Sequence, residues 1–139
     1  MSLRFEDIRV GDTLPLLEKP PITTTQLVQY AGASGDFNRI HYDEPFAKEG
    51  GFPSVIAHGM LSMAFFGQLI GSWAGANPIA RLSARFKAVT LPGDRITIGG
   101  EVTARNDADG ERTIELKLYA RKSDGTVTLD GTATLRFPH

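Results

Sequence analysis

Met60-Leu61-Ser62-Met63-Ala64-Phe65-Phe66-Gly67-Gln68-Leu69-Ile70-Gly71-Ser72-Trp73 is the stretch that decides the fold. It is relieved only by small residues and one glutamine, so a helix formed here has no polar face and has to be wrapped on most sides by other structure. At about 1.5 Å per residue it is too short to cross roughly 30 Å of hydrocarbon, and Gln68 interrupts it. The expectation is the central helix of a soluble protein, not a membrane span.

Downstream of this helix the period changes from helical to two. Leu82, Ala84, Phe86 and Ala88 alternate with Arg81, Ser83, Arg85 and Lys87, the pattern of a strand with one buried face. Ile96, Ile98, Val102 and Ala104 repeat it, then Ile114, Leu116 and Leu118, then Val127, Leu129, Ala133, Leu135 and Phe137. Turn chemistry separates these strands at Pro92-Gly93-Asp94, Asn106 to Gly110 and Ser123-Asp124-Gly125; the last two connections are short enough for hairpins, so the sheet is mainly antiparallel. Its apolar face needs a cover, and the Met60 to Trp73 helix is the one element apolar enough to provide it. Curling the sheet around that helix gives an α+β hot-dog fold of about five strands, reached from pattern alone. Such a sheet keeps open edges that another chain can pair, so dimerisation is expected.

Upstream, Phe5 to Pro21 reads as irregular chain with one short strand. Thr23-Thr24-Thr25 offers a cap for a helix carrying Leu27, Val28, Tyr30 and Ala31, ending near Gly32 to Gly35. From Ser34 to Pro53 neither period holds, and a loop with one helical turn at Asp43 to Lys48 is expected.

The chain has 139 residues, 41% of them hydrophobic, which suits a single domain over 1–139 with one core. Its net charge of -1, with no long basic run, argues against nucleic acid or a membrane surface as partner, leaving small molecules and other protein chains. Without cysteine, neither thiolate catalysis nor a zinc ribbon is available. The start, Met1-Ser2-Leu3-Arg4-Phe5-Glu6, lacks the apolar core of a secretory signal, and a cytoplasmic location is the default expectation.

Two of the three histidines draw attention. Asp36 and His41 stand five residues apart in the aperiodic segment, a pairing suited to proton transfer because imidazole titrates near neutrality and a carboxylate beside it can share a bound water. On residue chemistry alone, local turn bonding by Asp36 and Asn38 with a solvated His41 is the favoured reading of the segment. His58 directly precedes the central helix, whose N-terminal N–H groups and dipole favour negative charge, while Gly59 has no Cβ to block approach. Here a tight turn with a packed or capping His58 is an equal reading. Asp36, His41 and His58 are conceivable metal ligands by type, yet no cysteine or close histidine pair on a helix face supports a metal, and none is expected. Arg85 and Lys87 read as a solvated strand face, or as contacts for a phosphate-bearing ligand.

Taken together, Tyr30-Ala31-Gly32-Ala33-Ser34-Gly35-Asp36-Phe37-Asn38-Arg39-Ile40-His41, Phe46-Ala47 and Ala57-His58-Gly59-Met60-Leu61 resemble the MaoC-like, or type 2, (R)-specific enoyl-CoA hydratase family. Its signature runs Ser-Gly-Asp-x-Asn-Pro-x-His, followed by His-Gly-Met at the start of the hot-dog helix. The resemblance implies a cofactor-free hydro-lyase acting on CoA or acyl-carrier-protein thioesters. It makes Asp36 and His41 the catalytic pair, Asp36 as base and His41 as proton donor, and the Gly59 N–H the donor to the thioester oxygen. Asn38, His58 and Met60 become substrate-binding residues. The expected assembly is a homodimer or higher even oligomer, or a heterodimer with a related hot-dog chain. Gly67 stands where some members carry a serine, so no hydroxyl contact is expected from that position. Arg39 replaces the usual proline, which frees φ and either brings a cation close to the pair or, the reading preferred on sequence, points into solvent as a plain substitute for a rigid residue. Competing functions are a hot-dog thioesterase and a non-catalytic, acyl-binding partner subunit.

Overall fold

The computed structural model describes residues 3–139. Five strands form one antiparallel sheet: β1 (Leu17–Glu18), β2 (Ile79–Phe86), β3 (Ile96–Ala108), β4 (Glu111–Lys122) and β5 (Val127–Phe137), in the order β1-β3-β4-β5-β2. Three α-helices accompany it: α1 (Thr24–Ser34), α2 (Glu44–Glu49) and α3 (Gly59–Ala74).

Sequence chemistry accounts for the local structure. Thr23 caps α1 by accepting from the Gln26 N–H, and α1 stops where Gly35 takes a left-handed φ of 72°. Asp43 caps α2 through the Phe46 N–H, with Pro45 in the first turn where its missing donor costs nothing. Between β3 and β4, Asp109 and Gly110 both have positive φ, as a two-residue hairpin requires. The strands therefore run closer to this turn than the Asn106 to Gly110 loop expected from the sequence.

Helix α3 lies on β3, β4 and β5, and Leu61, Phe65, Phe66, Leu69 and Ile70 join Ile98, Val102, Leu116, Leu118, Leu129 and Leu135 in one buried cluster. The central helix and the two-residue patterns of β3 and β4 stand as read. Two expectations need correction. The helix is not wrapped all round, because Met60, Ala64, Gln68, Gly71 and Ser72 remain exposed along one stripe. The first of the four strands does not bury its apolar face either: Leu82 and Ala84 are only half-buried, Ala88 lies exposed beyond the strand, and Phe86 is 58% exposed. The reason is position, since β2 forms the sheet edge beyond β5, outside the main reach of α3.

Candidate active site

The segment after α1 folds back on itself through short polar links. The Asp36 carboxylate accepts from the Asn38 N–H at 3.2 Å, and the Asn38 side-chain oxygen accepts from the Ile40 N–H at 3.2 Å, capping a single 3-10 turn over Arg39–His41. An extended buried strip, Val55 to Ala57, runs alongside. Ile56 donates to the Ile40 carbonyl at 3.0 Å and Ala57 to the Thr90 carbonyl at 2.8 Å. These bonds fix the loop carrying Asp36 and His41 against the start of α3.

His41 is 8% exposed at the side chain, and its Nδ1 lies 2.7 Å from the Ile56 carbonyl oxygen. A carbonyl only accepts, so Nδ1 carries a proton and Nε2 is the nitrogen free for chemistry. That Nε2 faces a carboxylate oxygen of Asp36 at 3.8 Å, and the Asp36 side chain is 51% exposed. The separation exceeds a direct hydrogen bond and suits a water or substrate oxygen held by both.

His58 packs behind His41. The two rings stack at 3.7 Å between centroids with planes 20° apart, and Tyr30 meets His58 edge-on at 4.8 Å. His58 Nε2 donates to the Asp36 carbonyl at 3.2 Å, while Nδ1 is buried without a partner. An unsatisfied buried acceptor costs about 1–3 kcal/mol, so it is not a neutral feature of the fold. Burial pushes the His58 pKa below the ordinary histidine range, against the opposing effect of the Asp36 carbonyl, so the ring is neutral.

Asp36, His41 and His58 do place one potential metal-ligating atom each within 4.8 Å of one another. Imidazole binds a metal in its ring plane, however, and two rings stacked nearly parallel do not both aim a lone pair at one ion. The trio suits proton chemistry better than coordination.

A pocket of about 420 Å³ opens over Asp36 and His41, bounded by Gly59, Met60, Phe86 and Val89. Met60 is 54% exposed at its rim. Ser62, Thr90 and Thr128 are buried polar residues in its wall that sequence reasoning did not pick out. Ser62 was within reach of such reasoning, because it lies one turn beyond Gly59 on the same helix face. Asn38 is engaged in capping the loop. Both readings of Arg39 need correction: its guanidinium pairs with Asp43 at 2.7 and 3.0 Å and lies 4.4 Å over the Phe46 ring, so the cation is committed to α2. That contact, followed by the Phe46 backbone N–H, holds the Asp43 carboxyl below its usual range.

The start of α3 completes the site. His58 occupies the N-cap position but makes no side-chain capping bond, and the first amides of a helix lack intrahelical partners. Gly59, the first residue of α3, lines the pocket, so the positive end of the helix dipole lies at the pocket wall.

Known proteins resemble this chain over most of its length. The (R)-specific enoyl-CoA hydratase of Rhodospirillum rubrum is 31% identical over 136 residues, covering 96% of this chain and 91% of the relative. Fatty acid synthase subunit beta of Gibberella zeae is 30% identical over 139 residues, 98% of this chain but 6% of that far longer protein. Among solved structures, the (R)-hydratase from A. caviae involved in PHA biosynthesis superposes with a TM-score of 0.87 at 27% identity, covering 96% of this chain and 99% of that one. The ChsH1-ChsH2 complex from Mycobacterium tuberculosis contains a chain matching at TM-score 0.83 and 28% identity, over 93% of this chain and 98% of that one. The family described as MaoC like domain matches residues 8–123. With most of its length inside that match and a sheet curled on a central helix, the chain belongs to the MaoC-like family of hot-dog proteins.

Proposed function

We propose that this chain is a hydro-lyase that reversibly hydrates trans-2-enoyl thioesters, linked to CoA or acyl carrier protein, to (3R)-hydroxyacyl thioesters, within a single domain over residues 1–139. The observation that carries the reading is the tautomer of His41. With Nδ1–H committed to Ile56, Nε2 is the nitrogen left to exchange a proton, and it faces the Asp36 carboxylate across 3.8 Å. The reacting form in this scheme has a carboxylate at Asp36, a second proton on His41 at Nε2, and the attacking water held against Asp36. As the water oxygen bonds to C3, its proton passes to Asp36; the C2–C3 π electrons move onto the thioester as an enolate. The Gly59 N–H receives the negative oxygen, an interaction worth about 3–4 kcal/mol for one such donor. The Nε2 proton of His41 then goes to C2, and the proton on Asp36 returns to Nε2, restoring the pair. The balance closes with water and substrate alone and calls for no metal, nucleotide or flavin. His58 serves this scheme from behind His41, while Met60 and the wall of the pocket meet the substrate.

Assembly is part of the proposal. Among the described residues the β2 edge is unpaired; it carries exposed Ile79 at one end and exposed Phe86 at the other, beside the pocket, so a second copy or a related hot-dog chain pairs there and covers the site rim. A cytoplasmic setting also remains part of it. The test is Asp36→Asn and His41→Ala, each expected to lower kcat by about 100-fold or more on an enoyl-CoA with the fold intact. Activity within a few-fold of the unmodified protein in either variant overturns the assignment.

A further inference from the structure

We infer that His58 is a positioning residue: as a neutral Nε2–H imidazole it ties down the Asp36 loop and backs the His41 ring, and by turning inward it leaves the first amides of α3 uncapped for the substrate oxygen. The inference rests on the hydratase reading above and adds to it a role for the buried histidine that the reaction itself does not use.

Three observations converge on this. First, the place His58 fills is one where Ser, Thr, Asp or Asn would fold its side chain over the helix N–H groups. Thr23 and Asp43 do this at α1 and α2, whereas His58 makes no capping bond although its backbone has ordinary cap geometry, φ -62° and ψ 131°. Second, its ring is used elsewhere. At 2% exposure it reaches 22 residues back to the Asp36 carbonyl and lies flat against His41. Third, Nδ1 is left buried without a partner, which a purely structural packing residue would avoid. The donor bond to a carbonyl requires Nε2–H, and the groups facing the ring are His41 at the stack, Asp36 at Nε2 and Tyr30 at the edge. Burial, together with repulsion from any positive charge on His41 across the stack, disfavours a proton on His58, so the neutral form is the working form.

Two variants and one spectrum test this. His58→Asn places a strong capping residue before α3 and removes both the stack and the reach to Asp36. Melting temperature is expected to hold or rise while kcat on an enoyl-CoA falls about 100-fold, the scale of losing one oxyanion donor. His58→Gln keeps an N–H donor of similar reach and is expected to retain kcat within about tenfold, with a KM close to that of the unmodified protein. Wild-type kcat in the Asn variant, or equal losses in both variants, overturns the inference. If the Asn variant fails to fold, the Gln variant decides alone: a kcat loss as large as about 100-fold in a folded protein overturns the positioning role. Histidine ¹⁵N NMR of the resting protein gives a readout independent of turnover. A protonated Nε2 and a bare Nδ1 on His58 at neutral pH are expected, and the opposite tautomer or a doubly protonated ring contradicts the inference. Should the unmodified protein prove inactive on enoyl thioesters, the hydratase reading fails by itself, while the spectrum and the melting temperature of His58→Asn still decide the tautomer and the capping.

Discussion

Gly59→Ala separates the needs of the fold from those of the site. A Cβ at Gly59 would lie 2.6 Å from Cδ1 and Cε1 of Phe86 and 3.3 Å from its Cζ. Carbon atoms rest at about 3.5–4.0 Å, so the ring has to withdraw by roughly 1 Å. Phe86 is exposed at the sheet edge and free to do so, at about 0.5–1.5 kcal/mol if a side-chain torsion is pushed off its minimum. Against this, replacing glycine in a helix by alanine gains about 0.4–1 kcal/mol through the unfolded chain. The two terms nearly cancel, and the melting temperature is expected to move by no more than about 5 °C. Activity responds differently. The N–H is retained, but a methyl group and a displaced Phe86 now stand at the wall where the proposed mechanism docks the thioester oxygen. A displacement of about 1 Å at a reacting centre costs on the order of 100-fold, and kcat/KM is expected to fall by that factor. Paired thermal melts and initial rates on one enoyl-CoA measure both. A stable variant with kcat/KM within threefold of the unmodified protein refutes the placement of the oxyanion at Gly59.

Arg39→Pro is expected to leave the acidic limb of the pH–rate profile in place, because the guanidinium is bound to Asp43 and Phe46; a shifted limb would restore electrostatic coupling to Asp36. His58 binds its proton more weakly in the folded chain than in the unfolded one, so stability rises with pH from the depressed folded value up to about 6.5 and is lost as pH falls through that window. The slope from this one group is at most about 1.4 kcal/mol per pH unit; denaturant melts of the unmodified protein and His58→Phe between about pH 5 and 7 should differ by such a slope, and parallel curves would contradict it. Sedimentation at assay concentration is expected to give a dimer or larger even assembly through the β2 edge, and a fully active monomer would refute that.

The features legible in the sequence are those set by local pattern. The absence of a polar face from Met60 to Trp73 marks α3, two-residue alternation marks β3 and β4, and Thr23 and Asp43 announce their helices. The Asp36 and His41 pair was legible as residue types, but neither its tautomer nor its facing geometry was, because both depend on the Ile56 carbonyl, which lies 15 residues further along the chain from His41. The half-exposed face of β2 was hidden for a similar reason: alternation says which side chains share a face, not whether a neighbour covers it. Arg39 was misjudged because proximity in sequence says nothing of which carboxylate wins a flexible guanidinium, and Asp43 sits one helical turn away. The inward turn of His58 reflects the distant partners Asp36, His41 and Tyr30, none adjacent in sequence.

Incubating the purified protein with a trans-2-enoyl-CoA and, separately, with a saturated acyl-CoA of equal length tests the central claim most directly. Ultraviolet absorbance follows the conjugated double bond and a thiol reagent follows free CoA. Loss of the enoyl absorbance with formation of the (3R)-hydroxyacyl product, and no thiol released from either substrate, is the result expected. Thiol release from the saturated ester would make the protein a thioesterase, and an inert protein in both assays would contradict a catalytic role for Asp36 and His41 in this chain acting by itself.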